Sequence, residues 1–523
     1  MSDTPSYQKV EEYQNRLKKL EEIKNLSITP FPYSFSPTHS CEEIKSLFSS
    51  SDIGHSDDAA SGSTSLIRAG GRLVLFRAMG KNAFGQIQDE TGRIQIMFNR
   101  DLTKVIGLDE NAEIKPLKFI EKKIDLGDII GIEGNIFKTQ KGEITIFAKK
   151  VTLLCKSLLP LPDKHGGLAD KGVRYRKRWL DLICNATSKE KLILRSKIIN
   201  EIRRFFEKEN FLEVETPILQ NTYGGAEAEP FKTHLLALHQ DMYLRISLEI
   251  SLKKLIIGGL HKIFEIGKVF RNEGLDRTHN PEFTLLEAYA TYFDYNSVMT
   301  FVENLFEFVA MAIHGKTQLS VTNENKEEII IELKAPWKKM TMKEAIINYA
   351  KIDVNNLSDE EMKKLLQEKT KLEEKEIQEA TRGKLIALIF EEFVEIHLIQ
   401  PHHITDHPIE TTPLCKPHRD PSANKEQMVE RFESFICGNE ICNAYSELND
   451  PILQRKLLIE QSLKKENGNK TAHPLDEEFI EALCQGMPPT GGFGIGVDRM
   501  VMLLTNASSI RDVIYFPIMK PED

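Results

Sequence analysis

The stretch FEIGKVFRNEGLDRTHNPEFTLLEAYATY, residues 264–292, decides how the chain is read. Two β-like runs, His261 to Arg271 and Phe283 to Tyr292, flank a polar connection containing Gly274, Asn280 and Pro281. The pattern predicts two antiparallel strands joined by a long loop. Loops longer than a tight turn commonly carry function. Alternation puts Glu287 and Tyr289 on one face of the second strand. Arg271 and Glu273 fall at the end of the first strand, and Arg277 and His279 lie in the loop. Cationic groups beside carboxylates suit a site for an anionic, metal-bound phosphate chain. A solvated, charged surface hairpin is the competing reading of the same composition.

Working outward, FRNEG, HNPEF and the glutamate that follows resemble motif 2 of the class II aminoacyl-tRNA synthetases. The wording is that of the lysine-specific, bacterial-type members of subclass IIb, the lysyl-tRNA synthetases. Downstream, GGFGIGVDRMVMLLTNASSIRDVIYFP (491–517) is similar to motif 3, a Gly-rich strand leading into an Arg-bearing helix. Upstream, residues 188–209 read as an amphipathic helix, with Leu192, Ile198, Ile199, Ile202, Phe205 and Phe206 on one broad face. FLEVETPIL (211–219) follows as a strand ended by Pro217. Helix, strand and proline together resemble motif 1, the family's dimer interface. That face fits packing within one subunit equally well, so a homodimer is implied by the resemblance alone.

Length and composition are ordinary for a soluble globular protein. At 523 residues the chain has room for two or three domains, and 41% hydrophobic with 28% charged residues is ordinary. The net charge of -9 gives no sign of nucleic acid, but charge is uneven. Segment 66–155 carries 15 Lys and Arg against 11 Asp and Glu, which permits RNA binding without demanding it. The seven cysteines are scattered without a CxxC pair, and read as reduced thiols in a cytoplasmic protein with no zinc site. No apolar run reaches the length of a membrane span, and the N-terminus lacks a signal-peptide core.

Taken in order, residues 1–65 predict a helical arm and a flexible linker. A helix over 5–26 and a short one over Cys41 to Phe48 precede SSSDIGHSDDAASGST (49–64), a Ser/Asp/Gly-rich linker or loop. The family resemblance implies that the basic first helix helps hold tRNA; a solvated packing helix fits its composition as well. Residues 66–155 are alternating β runs punctuated by glycine, with a helix-like piece near 113–124. Five short strands with one interposed helix fit an OB-fold barrel, whose sheet face binds oligonucleotides. Residues 156–182 form a hinge whose RYRKRWLD run suggests a basic strip for the tRNA backbone. Residues 183–523 form the catalytic domain, with a Lys/Glu-dense helical insertion over 337–398 assigned no chemistry of its own. The resemblance implies the fold class α+β: an N-terminal OB-fold barrel, then the antiparallel sheet flanked by helices of a class II synthetase. His402 and His403 lack a third ligand at sensible spacing and read as structural.

The resemblance implies an ATP-dependent ligation of L-lysine to tRNA(Lys) through a lysyl-adenylate, with Mg²⁺. It assigns ATP to Arg271, Glu273, His279, Asn280, Phe283, Glu433, Glu440 and Arg499. Arg271 and Arg499 are the catalytic cations, and Glu433 and Glu440 the metal ligands. A bend at Gly438 is expected to bring those two glutamates together. Lysine falls to Gly225, Glu249, Arg271, Glu287, Tyr289, Asn443, Tyr445 and Glu447. Arg77, Phe84, Gln95 and Glu133 are the anticodon candidates, with barrel core as the alternative for Phe84. The sequence departs from the family at Leu248 and Ser251, where the usual wording around Glu249 has Pro before it and Tyr soon after. Aspartate or asparagine synthetases of the same subclass, a protein-lysylating relative and a non-catalytic RNA-binding derivative are the alternatives. Glu447, the OB segment and the intact set of Arg271, Glu273, Glu433, Glu440 and Arg499 argue against them in turn.

Overall fold

The computed structural model describes residues 5–49, 53–162, 168–322, 327–466 and 471–521. They form two compact units, Met1–Gly167 and Leu168–Asp523.

In the first unit, strands Leu66–Met79, Asn82–Gln88, Arg93–Asn99, Ile129–Lys138 and Ile144–Cys155 close into a barrel. Closure comes from a parallel pairing of Gln95–Phe98 with Thr145–Ala148, so no open edge remains between those strands. Alternation sends Ile87, Ile94, Ile96, Ile132 and Ile146 into the core. Helix Pro116–Lys123 interrupts where the sequence predicts it. Helix Cys41–Phe48 also forms as expected, opened by a capping box of Ser40 and Glu43. The predicted N-terminal helix is split into a 3₁₀ turn, Ser6–Lys9, and an α-helix, Glu11–Asn25. Its Arg16 is buried and donates to the carbonyls of Leu126, Ser157 and Leu159.

The expected linker over 49–64 is corrected in part. Residues 50–52 lie outside the described residues, but Ser56–Ser61 is a helix. It is closed by Gly62 at φ +87°, and Ala59 is fully buried against Met97, Phe137 and Phe147. Two alanines inside a polar run supply a small apolar face that composition obscured.

The second unit is built on an eight-stranded sheet. Its order is Lys338–Thr341, His402–Pro408, Met428–Ile436, Asn439–Ser446, Thr490–Gly496, Glu282–Thr291, Lys262–Phe270 and Leu212–Glu213. The six central strands are antiparallel; the pair at each end is parallel, so the sheet is mixed rather than wholly antiparallel. FLEVETPIL does not form one strand. Only Leu212–Glu213 joins this sheet, while Leu219–Gln220 pairs elsewhere, past Pro217, which has no N–H to give.

Helices Ala186–Lys208 and Tyr295–His314 cover one face of the sheet through Phe205, Phe206, Phe301 and Leu305. Phe264, Leu286, Ala288, Phe493 and Ile495 answer from the strands. Period-two alternation then places Glu287 and Tyr289 on the opposite face. In Thr490–Gly496 the same alternation leaves Gly492, Gly494 and Gly496 opposite Tyr289, Glu287 and Leu285. A strip without side chains therefore opens a cavity over the sheet.

The interval 156–182 is divided. Residues 163–167 are outside the described residues, and the run after Leu168 belongs to the second unit as helices Lys171–Arg176 and Arg178–Cys184. The anticipated basic strip is turned inward only in part: Arg178 is buried, Arg174 and Arg176 are half-buried, and Lys177 is exposed. Arg174 and Arg178 both bond Asp181, and Arg178 also donates to the carbonyls of Arg511, Ile514 and Tyr515.

Phe206 is fully buried, stacked on Phe264 at 4.3 Å between ring centres and edge-on to Phe211. Phe206→Ala should cost about 3–5 kcal/mol of stability. The check is the chemical denaturation midpoint against wild type.

Candidate active site

The cavity holds about 440 Å³ and is lined by all fifteen residues expected for ATP, lysine and metal, from Gly225 to Arg499. At one end lie three buried carboxylates, Glu249, Glu287 and Glu447. Glu249 opens helix Glu249–Ile257, where the helix dipole favours a negative charge. One turn later, Lys253 Nζ donates to Glu249 Oε1 at 2.5 Å and lies 2.5 Å from Glu447 Oε2. Neither oxygen of Glu447 has an aligned hydrogen-bond donor among the described residues.

Glu287 is held by three donors. Ser247 Oγ (2.6 Å) and the Leu248 N–H (3.0 Å) donate to Oε1, and the Tyr289 hydroxyl donates to Oε2 at 3.0 Å. Leu248 stands where the family's usual wording has proline, which has no N–H to supply. Burial, with Glu249 nearby, pushes Glu287 up to about 7 against those donors. Gly225 has φ +85°, and a Cβ there would press on Ser247 and Glu249, so glycine is required. A Cβ at Gly492 would collide with Glu447 and the Tyr289 ring.

Towards the other end, the Arg271 guanidinium sits 5.2 Å from the Phe283 ring centre, and its Nε donates to the Ile246 carbonyl. Arg499 donates to the Glu440 carbonyl at 2.6 Å and to His279 Nε2 at 3.1 Å. An arginine only donates, so His279 Nε2 must accept, and its proton sits on Nδ1, 2.8 Å from Asp276. Against the penalty of burial, donors from Thr278 and His279 hold the Asp276 carboxylate down to about 2. Buried Asn280 anchors the loop by donating to the Glu282 carbonyl at 2.5 Å, and its Oδ1 has no partner among the described residues.

Glu433 and Glu440 both line the cavity, but through a β-bulge rather than a bend at Gly438 alone. Ser434 pairs with Cys442 and Phe435 with Glu440, leaving Ile441 without a partner. Strict alternation from Asn443 would have turned Glu440 away; the extra residue turns it back.

Several contributors were missed by sequence reasoning. Arg431 donates to Asn443 Oδ1 at 3.0 Å, pairs with Glu433 and lies over the Tyr445 ring, so it orders three expected residues at once. Its place two residues before Glu433 on one strand was the available signal. Asp498, beside Arg499, accepts from the Thr284 N–H and from Arg195 of helix Ala186–Lys208. Lys384, Ala387 and Glu391 of helix Arg382–Phe393 line the cavity, which corrects the reading of 337–398 as chemically inert. His403 is structural, bonded to Ser434 and Glu303 and stacked on Trp337.

The anticodon candidates sit in the first unit. Phe84 lies opposite Arg77 on one side and Met97 on the other, half-buried outside the barrel core beside Ala59 and Phe147. Gln95, on the neighbouring strand, donates to Thr145 Oγ1. Glu133 does not join them: it pairs with Arg68, nine residues along the strand from Arg77, and is ion-paired with Lys150.

Two family models match this chain. Residues 170–520 fit the class II tRNA synthetases (D, K and N), and residues 67–154 fit the OB-fold nucleic acid binding domain. The chain belongs to the class II tRNA synthetase family and carries the OB-fold domain ahead of the synthetase domain. Among similar curated proteins, a lysine--tRNA ligase of Chlamydia pneumoniae is 58% identical over 100% of this chain and 99% of its own. Lysine--tRNA ligases of Thermoanaerobacter pseudethanolicus and Nostoc punctiforme are 46% and 42% identical, each over 97% of this chain and over 96% and 87% of their own.

Two outcomes follow from this geometry. Gly492→Ala should raise the amino-acid KM about tenfold or more, because the added methyl collides with Glu447 and the Tyr289 ring and must displace them. Steady-state kinetics with ATP and amino acid varied separately would show it. Glu287 is raised in the fold, so its ionisation costs stability that is absent below the unfolded value and reaches about 3 kcal/mol above the folded one. Glu287→Gln should therefore raise the melting temperature more at about pH 8 than at about pH 5, while lowering activity.

Proposed function

We propose that this enzyme attaches L-lysine to tRNA(Lys) through a lysyl-adenylate. The observation that carries the reading is Glu447: a buried carboxylate at the cavity's end that shares the single Lys253 ammonium with Glu249, beside the Tyr289 hydroxyl and the bare surface of Gly492. Three buried carboxylates, Glu249, Glu287 and Glu447, with one buried lysine among them call for a further cation brought by the substrate. The names carried by the similar curated proteins support the same substrate.

In this reading the lysine side-chain ammonium meets Glu447 and Tyr289, with Glu287 close by. The α-ammonium meets Glu249 and the Gly225 carbonyl. Arg271 and Asn443 take the carboxylate, and Tyr445 walls the pocket. The lysine carboxylate oxygen attacks the α-phosphorus of ATP, and the bond to pyrophosphate breaks. A hydroxyl at the tRNA 3′ end then attacks the adenylate carbonyl, and AMP leaves. Neither step needs a side-chain nucleophile; alignment and charge neutralisation carry the rate. Arg271 bridges carboxylate and α-phosphate with its planar fork. Arg499 and His279 receive the far end of the phosphate chain, Phe283 stacks on adenine, and Glu273 and Asn280 line its edge.

Glu433 and Glu440 fit Mg²⁺. Burial and the charge of Glu433 push Glu440 up, and these two residues would hold a hard divalent cation, which would relieve that repulsion. When bound, Mg²⁺ screens the phosphate charges so that the carboxylate can approach. Phe84, Gln95, Arg77 and, farther along the sheet, Glu133 are the residues we assign to the anticodon. A homodimer through motif 1 is supported by the exposure of Leu212, Ile218 and Leu219 there. Among the described residues no helix is long and apolar enough to cross a membrane. All seven cysteines are free, in keeping with a cytoplasmic location. Aspartate, with its second carboxylate against Glu447, is the substrate this pocket rejects.

Glu447→Gln should raise the lysine KM in ATP–pyrophosphate exchange about a hundredfold or more, while the ATP KM moves less than about threefold. Unchanged lysine kinetics in that variant would remove the assignment.

A further inference from the structure

Resting on that reading of Glu249 and Glu447, we propose that Lys253 is a positioning residue whose buried ammonium bridges the two carboxylates, fixes their spacing and keeps Glu447 charged for the substrate. Lys253 has no exposed surface, and its Nζ lies 2.5 Å from an oxygen of each glutamate. The first contact is built into the helix, where residues four apart are neighbours. The second crosses to Glu447, just beyond strand Asn439–Ser446. A lysine has three N–H donors and no acceptor, so it can hold both groups at once and leave each a free oxygen.

The bridge answers an electrostatic problem. Glu447 faces Lys253 and Glu249 from the helix, Glu287 and Tyr289 from strand Glu282–Thr291, and Cys415 from a neighbouring segment. His473 faces Lys253 from the chain before helix Glu477–Cys484, and burial keeps it neutral, held down to about 4. Burial pushes Glu447 up, and Lys253 opposes that rise. Burial also works against the charge on Lys253, but Glu249 and Glu447 outweigh it. Without this cation the carboxylates would repel one another and Glu447 would take up a proton more readily. A protonated carboxyl gives up the ion pair that an incoming ammonium needs. Lys253 touches no reacting atom; it acts through the two glutamates.

The test uses the full chain with Lys253→Met and Lys253→Arg, in lysine-dependent ATP–pyrophosphate exchange from about pH 6.5 to about pH 8.5. Lys253→Met should raise the lysine KM about tenfold or more at neutral pH, with the ATP KM within about twofold. Its lysine KM should fall with rising pH more steeply than in wild type, by up to about tenfold per pH unit, as alkali ionises the carboxylate the ammonium no longer holds. Lys253→Arg keeps the charge and alters the spacing, so it should show a raised lysine KM on the wild-type pH profile. It also keeps the test open if the methionine variant fails to fold. A deficit shared by lysine and ATP and flat with pH, or a wild-type lysine KM in both variants, would overturn the proposal. Wild-type enzyme that shows no exchange with lysine would instead overturn the reading of the site, and this proposal with it.

Discussion

Repulsion among three carboxylates removed from water within one cavity is the constraint around which the second unit is arranged. Burying a single carboxylate is costly, and burying three together is tolerable only with compensation. Each receives it differently. Glu249 sits at a helix start and accepts from Lys253. Glu287 accepts from a serine, a backbone N–H and a tyrosine. Glu447 has Lys253 at 2.5 Å but no aligned donor on either oxygen. The unmet demand is concentrated on the group that the proposed substrate would reach with its side chain. In the proposed reading stability is given up here for selectivity, since neutral side chains of similar size would be cheaper to bury.

The sheet makes this arrangement possible. One face of Thr490–Gly496 contributes Phe493 and Ile495 to the core, and the other contributes only glycines to the cavity floor. The neighbouring strand sends Leu286, Ala288 and Ala290 inward and Glu287 and Tyr289 to the cavity. A single register therefore sets both the core and the site, and a slip of one residue would exchange them. Arg195 ties the long helix under the sheet to Asp498, next to the arginine assigned to the phosphates. Packing on one side of the sheet is thereby coupled to geometry on the other.

Much of this was legible in the sequence because it rests on local periodicity. Alternation gave the barrel strands, and glycine marked their turns. The cavity's fifteen expected residues came from motif wording and do meet. What stayed hidden depends on partners distant in sequence. Arg178 reads as part of a surface strip because nothing local shows that the carbonyls of Arg511, Ile514 and Tyr515 will absorb it. Ser56–Ser61 reads as linker until Met97, Phe137 and Phe147 give Ala59 something to cover. Lys253 reads as one of two adjacent lysines on a helix, and only the fold shows that it faces Glu447 while Lys254 faces outward to Glu478. The bulge at Ile441 has no signature in the residue types around it.

The most direct measurement is ATP–pyrophosphate exchange by the purified chain with lysine, ornithine, aspartate and asparagine in parallel. The charge arrangement predicts exchange with lysine and none above background with aspartate or asparagine. Ornithine, shorter by one methylene, should be slower by about 10–200-fold. Exchange with aspartate or asparagine equal to that with lysine would contradict the claim that the buried carboxylates select the substrate.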